Sequence, residues 1–464
     1  MPDDSIWSPP HPRARVHLAG ICGAGMKAMA EFLSDRGWTV SGCDGDPDPE
    51  TIGKFQQRGV SVQTGHSTTH LSEPPDLLIF SAAIPTDNPE IRQAEQLGIP
   101  RLSYVEALAQ LSRHAPTLAI SGTHGKSTTT AMVGQILRSS GRPSSLICGA
   151  ESLAASRSGW GDSQDRLVVE ACEFRRHFLS LSLETVCILG IEPDHFDCYP
   201  NIDDAVDAYR ELACQIRPNS SGQLIVRSDC PNVSRLLQQI GITPVTFSLS
   251  DESADWGVVD RVDSVDGSQF RIRHQNDISP PVRMRMPGWH HIQNAVAAAA
   301  CAGAMGVNLT EIANGLSQFQ GLKRRFETVR TIHGAPIIDD YAHHPTEIRA
   351  AIAAARQAWP GRKLICYFQP HQMSRTAALL PEFAEALNLA DQAYVLPVYA
   401  ARESGGIQQS ELSRQIVRQM TTPATFLTAL DRVRGTIQTD ANTDVVILTL
   451  GAGNLTRIHH DDVD

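Results

Sequence analysis

Short apolar runs alternate with helix-spaced apolar positions along nearly the whole chain. Val16-His17-Leu18-Ala19 reads as a buried strand, after which Met29, Phe32 and Leu33 fall on one helical face. Residues 38–43 and 76–81 read as further strands, 89–97 and 105–111 as helices, and 99–102 as a short edge strand. The polar, proline-ended Ser112-Arg113-His114-Ala115-Pro116 is a candidate domain boundary. A second series begins at Leu118-Ala119-Ile120, with a helix carrying Met132, Val133, Ile136 and Leu137, strands at 166–169 and 186–191, and an alanine-rich helix running through Met305. A third series has strands at 337–338, 363–368, 394–397 and 445–450, with an alanine-rich helix ending at Trp359. Strands that alternate with helices in this way predict α/β units with parallel sheets.

Chemistry-bearing residues gather where strands end, the place where α/β sheets bind ligands. After the strand at Leu118 come Gly122-Thr123-His124-Gly125-Lys126-Ser127-Thr128. Glycines let backbone N–H groups approach phosphate oxygens, the helix start favours negative charge, Lys126 adds a cation and Ser127 is placed to hold magnesium. Ile120 stands where the usual G-x-x-x-x-G-K-[ST] pattern needs its first glycine, so the loop is a shortened form, or else an ordinary turn with a surface lysine. Gly23-Ala24-Gly25 followed by Ala28 fits the pyrophosphate-binding fingerprint, with Asp44 at the end of the next strand for a ribose. Glu170 and His195 follow two further strands and are candidates for holding magnesium against phosphate oxygens, His195 being equally readable as structural. Lys323-Arg324-Arg325 is a basic cluster that could neutralise a transferring phosphoryl group or simply be a solvated loop. Tyr341, His343, His371 and Arg375 follow two strands of the third series and suit a small anionic or zwitterionic substrate.

Composition narrows this further. A chain of 464 residues has material for two to four domains, and 41% hydrophobic with 20% charged residues is ordinary for a globular protein. A formal net charge of −11 argues against bulk electrostatic binding of nucleic acid, so any phosphate site must be local. The ten cysteines lack C-x-x-C pairing or zinc spacing and read as free thiols of a reducing compartment. The start, MPDDSIWSPPHPRAR, lacks the apolar core of a signal peptide, and no run approaches a membrane span. A cytoplasmic protein with neither membrane nor nucleic-acid partners is expected.

The motifs GICGAGM, SAAIP, GTHGKST, EACEFRRHFL, IEPDHFD, KRRFE, DDYAHHPTEI and FQPHQMSRT, in this order, resemble the Mur ligase family of ATP-dependent amide-forming enzymes of peptidoglycan synthesis. The resemblance implies three domains: an N-terminal Rossmann-like domain over 1–114, a central P-loop ATPase-type domain over 115–327 and a C-terminal Rossmann-like domain over 328–464. It implies ATP with Mg2+, and UDP-N-acetylmuramate and L-alanine as substrates, in a monomer or weak homodimer. Lys126 and Ser127 then look like the ATP-phosphate lysine and a magnesium ligand, Glu170 and His195 like the holders of two magnesium ions, and Arg325 like an arginine near the phosphates. Asn294 resembles an adenine contact and Asp340 a nucleotide contact. Gly23, Ala24, Gly25, Asp44, His66 and Ser81 fall in UDP-sugar motifs; Tyr341, His343, His371 and Arg375 fall in the alanine pocket, with His343 or His371 as the base for the amine. Three features depart from the family pattern: His291 stands where asparagine is common, Gln372-Met373 removes one basic contact, and no lysine that could be carbamylated occurs in 197–216. The last fits the alanine-adding branch. A ligase for a recycled tripeptide, and a nucleotide-binding protein whose catalysis has lapsed, are the alternatives.

Overall fold

The computed structural model describes residues 6–216, 222–401, 403 and 406–459. The chain divides into two compact units, one of Met1–Ile191, Ala205–Gly257 and Val296–Gly315, the other of Glu192–Asp204, Val258–Ala295 and Leu316–Asp464. It carries three sheets in α/β arrangement, as expected from the alternation of patterns.

The first unit holds the N-terminal sheet and most strands of the second. Its N-terminal sheet is fully parallel, in the order Ser61–Thr64, Thr39–Asp44, Arg15–Ala19, Leu77–Phe80, Arg101–Ser103. The predicted edge strand is thus at the edge, beginning two residues and ending one residue later than its hydrophobic pattern suggested. Ser61–Thr64 is the opposite edge; its side chains are mostly exposed, so it carries no hydrophobic alternation to read. In the second sheet Thr117–Ser121 lies between Leu167–Glu170 and Thr185–Ile188, both parallel to it. Leu224–Arg227 and Val245–Phe247 continue the sheet on one side, Ser145–Ser152 and the antiparallel Arg157–Trp160 on the other. The strand expected over 186–191 stops at Ile188, because Gly190 has φ +152° and turns its carbonyl to accept the Thr123 N–H at 3.0 Å.

In the second unit the sheet runs Glu327–Ile332, Ala335–Asp340, Val445–Leu450, Lys363–Phe368, Gln392–Val395, Ala424–Phe426; the first pair is antiparallel and the rest parallel. Leu364, Cys366 and Phe368 join one buried cluster with Ile348, Ile352 and Phe383, while Ile365 and Tyr367 join another with Val433 and Ile437. A strand covered on both faces needs an unbroken apolar run, which is why KLICYF and VVILTL do not alternate. Gly267–His274 pairs antiparallel with Asp277–Ile278 and Val282–Met284, and these strands belong to the second sheet. No helix of the described residues is long and apolar enough to cross a membrane.

Candidate active site

The glycine loop of the first unit is a turn only glycine can make. Gly122 (φ +135°) and Gly125 (φ +81°) take positive φ, and a Cβ on Gly122 would lie 2.9 Å from the Leu189 Cβ and 3.0 Å from its backbone nitrogen. Gly125 caps the helix Lys126–Ser139, whose first-turn residues Ser127 and Thr128 are buried, while Thr123 is buried and His124 half-buried in the turn. The Lys126 ammonium folds back to donate to the carbonyls of Gly122 (2.7 Å) and Thr123 (3.2 Å) and to Glu173 (3.0 Å). Burial would lower its pKa, but Glu173, Cys172 and Glu170 outweigh that and hold it protonated. Glu170 ends the adjacent strand in register with Ile120, and its Oε2 accepts the Gly149 N–H at 2.6 Å. Ser127 and Glu170 offer hard oxygens suited to magnesium, and the cradle of positive-φ glycines with a cation fits phosphate. Glu173 is the partner that motif reading missed; its only signal was a second carboxylate after the same strand.

In the N-terminal sheet the fingerprint turn also closes. Gly20, which the fingerprint does not single out, takes φ +78° with a Cβ position 2.9 Å from that of Ser81, whereas Gly23 is in extended backbone. Gly25 abuts the Tyr104 ring, where a Cβ would come within 2.7 Å, and Ala24 opens the helix Ala24–Asp35. Asp44 accepts the Cys22 N–H at 3.0 Å, so the carboxylate sits on the turn itself. The His66 Nδ1 lies 3.2 Å from Cys43 Sγ and 3.3 Å from Glu90, packed against that pair.

The second unit gathers the four residues singled out after the strands Ala335–Asp340 and Lys363–Phe368. The His343 ring meets those of Tyr341 and His371 edge-on, with centroids 5.2 and 5.9 Å away. Arg375, 2% exposed, donates from Nε to Asp194 (2.6 Å) and from Nη1 to the His371 carbonyl (3.2 Å) and Nδ1 (3.4 Å). Burial pushes the Asp194 carboxyl up, and the Arg375 guanidinium more than reverses this. Asp194 lies inside the motif IEPDHFD, and nothing local betrays a partner 181 positions away. Burial lowers the His343 pKa to about 4 despite Glu347. Its Nδ1 faces the Tyr341 carbonyl at 2.9 Å, which fixes the proton there and leaves Nε2 as an acceptor. His195, with φ +50°, donates its N–H to Asp194 Oδ1 at 2.7 Å.

Arg324 and Arg325 lie over the Tyr341 ring at 4.9 and 4.7 Å, and Arg324 also donates to the Gly451 carbonyl at 2.6 Å. The basic cluster is therefore a built feature. Asp340 accepts N–H groups of Phe326 and Ala342, both at 2.7 Å; burial pushes its pKa up to about 6, against Arg325. Asn294 lies half-buried on the helix Trp289–Ala304. On the same helix burial lowers the pKa of His290 to about 4 and holds that of His291 well below the ordinary histidine value, with Arg325 acting the same way on both. Both His291 ring nitrogens are buried without a hydrogen-bond partner, so this departure from the family pattern leaves polar atoms that suit a heterocyclic ligand.

Comparison with known proteins covers almost the full chain. The Mur ligase family catalytic domain matches residues 15–116, the Mur ligase middle domain 120–302 and the Mur ligase glutamate ligase domain 324–453. The chain is 35% identical to the UDP-N-acetylmuramate–L-alanine ligase of Chloroflexus aggregans over 470 residues, 96% of this chain and 97% of that one. It is 34% identical to that of Chlorobium phaeobacteroides over 449 residues, 96% and 95% of the two chains. The fold is shared with the UDP-N-acetylmuramate–alanine ligase of Thermotoga maritima, at a TM-score of 0.80, 24% identity and coverage of 96% and 97%. A murein peptide ligase from Psychrobacter arcticus follows at 0.74, 25% identity and the same coverage.

Proposed function

The chain belongs to the Mur ligase family, and from that premise we propose that it joins L-alanine to the carboxylate of UDP-N-acetylmuramate, with conversion of ATP to ADP and phosphate. The observation that carries the choice of acceptor is the likeness, across 96% of the chain, to ligases named for that reaction. The compact group of Tyr341, His343, His371 and Arg375 supports it, since it brings together a guanidinium and imidazoles suited to one amino acid's charged groups. The domains are taken as 1–114 for the UDP-sugar, 115–327 for ATP and 328–464 for the amino acid, in a cytoplasmic enzyme.

In this reading the muramoyl carboxylate attacks the γ-phosphate of ATP to form an acyl phosphate, and the amine of L-alanine then displaces phosphate through a tetrahedral intermediate. Backbone N–H groups of Gly122, His124 and Gly125 cradle phosphate oxygens, with Thr123, whose own N–H is engaged by the Gly190 carbonyl, completing the turn and Thr128 in the first helical turn. Lys126 exchanges Glu173 for the γ-phosphate, so Glu173 positions the ammonium before ATP arrives. Arg325 spreads further positive charge over the transferring group. Ser127 and Glu170, with His195 as the third candidate, would hold magnesium, which would supply charge neutralisation. Asn294 and Asp340 serve the nucleotide; Gly23, Ala24, Gly25, Asp44, His66 and Ser81 serve the UDP-sugar. With Nε and Nη1 of Arg375 engaged, its Nη2 takes the alanine carboxylate, and Nε2 of the neutral His343 accepts the ammonium proton.

The second reading is a murein-peptide ligase, favoured by the fold match at a TM-score of 0.74. Phosphate release with UDP-N-acetylmuramate and ATP across a panel of amino acids and the murein tripeptide separates the two. L-alanine is expected to give the highest kcat/KM. A preference for the tripeptide overturns the choice, and release with no acceptor, or ATP binding without release, overturns ligation itself.

A further inference from the structure

One group of side chains in the first unit, with His66 packed against it, is itself given no part in the ligation chemistry. His17 lies mid-strand in Arg15–Ala19, and Cys43 lies near the end of Thr39–Asp44. His17 pairs in register with Ser41 and Ala19 with Cys43, so the two side chains share one face of the parallel sheet. That face receives His70 from the short helix Thr68–Leu71 and Glu90 from the first turn of Pro89–Gln96. One ligand atom from each of His17, Cys43, His70 and Glu90 lies within 4.8 Å of all the others. Glu90 is fully buried and its oxygens are 2.9 Å from Cys43 Sγ, 2.5 Å from His70 Nδ1 and 3.8 Å from His17 Nε2.

Two features distinguish this from an ordinary polar network. His17 is 1% exposed, and its Nε2 has no hydrogen-bond partner although it points at the carboxylate. Its Nδ1 is 2.9 Å from the Ser41 hydroxyl, which sets the ring with Nε2 toward the cluster, the arrangement usual for a metal-ligating histidine. We propose that His17, Cys43, His70 and Glu90 form a tetrahedral site for a thiolate-binding divalent metal, zinc above all. Zinc bond lengths place ligand atoms about 3.3–3.8 Å apart in a tetrahedron, so the group reaches this by shifts within about 1 Å. The donor set of one sulfur, two imidazoles and one carboxylate suits zinc and not magnesium or calcium.

Charge also balances. Binding expels the Cys43 S–H proton to solvent as the metal–sulfur bond forms, and thiolate with carboxylate neutralises the dication in a buried place. The ion would tie two strands to the two helices that cover them, a structural role independent of the ligase reaction.

The test is metal analysis of the full-length protein purified with zinc present, paired with cobalt(II) spectroscopy. One zinc per chain is expected to survive desalting, and cobalt should give a thiolate charge-transfer band that Cys43→Ser removes. Ser41→Ala leaves the four ligands and should weaken zinc about 10–100-fold, through the His17 ring alone. If Cys43→Ser fails to fold, the wild-type cobalt band together with Ser41→Ala still decides. Absence of both retained zinc and the cobalt band overturns the site, as does zinc retained undiminished in Cys43→Ser.

Discussion

Lys126 is the residue whose surroundings say most about its work. Its ammonium is held at 2.9 Å by Glu173, whose side chain is only 5% exposed, so the pair forms a buried ion pair waiting on the loop. Lys126→Ala should abolish phosphate release while calorimetry still detects UDP-N-acetylmuramate binding; ADP release that persists in this variant would refute the assignment. Removing one partner of such a pair costs about 3–5 kcal/mol, and Lys126→Ala combined with Glu173→Gln should recover most of that loss. His343 makes a prediction of a different kind. Glu347, Asp194 and the Tyr341 carbonyl favour its protonation, Arg375 opposes it, and burial decides, at about 4 instead of the ordinary 6.5. A depressed histidine pKa means the unfolded chain binds the proton first, so stability is present above about 6.5 and falls as pH drops through about 4. In His343→Asn the fall of the thermal midpoint between pH 7 and pH 4 should be shallower; an unchanged slope would show that the ring is not held neutral.

At the scale of elements, the glycine loop depends on one strand–helix junction. Gly122 is hemmed in by Leu189 and Gly190 from the neighbouring strand end, and Gly141 has φ +68° with nothing within 4 Å. Both demand positive φ, which costs a side chain about 1–3 kcal/mol. Gly122→Ala adds a backbone collision and should move the loop, lowering kcat/KM about 100-fold. Gly141→Ala should lose comparable backbone energy and keep its rate. Equal rates in the two would mean that the junction does not hold the phosphates. Much of this element was legible in advance, because G-T-H-G-K-S-T sits between an apolar run and a helical pattern. The early stop of the strand at Ile188 was not, because it is decided by the Thr123 N–H reaching across to Gly190.

For the molecule as a whole, a net charge of −11 makes anionic substrates dependent on a few placed cations. Lys126, Arg325 and Arg375 are those proposed here, with magnesium as the mobile supplement. Withholding magnesium should stop phosphate release and leave UDP-sugar binding intact, with activity restored by magnesium added back; full turnover without a divalent ion would contradict the roles given to Ser127 and Glu170. The sequence by itself determined the α/β class, the positions of most buried strands, the glycine loop and the family, because these rest on local periodicity and on ordered motifs. Tertiary structure alone decided which distant groups meet. Asp194 and Arg375 are 181 positions apart, and His17, Cys43, His70 and Glu90 lie on four separate elements. No local pattern encodes such meetings, since pairing in a parallel sheet and burial select partners by register and not by spacing along the chain. The phosphate cradle of Gly122 to Ser127 could thus be read from the chain, whereas the glutamate holding its lysine had to be seen.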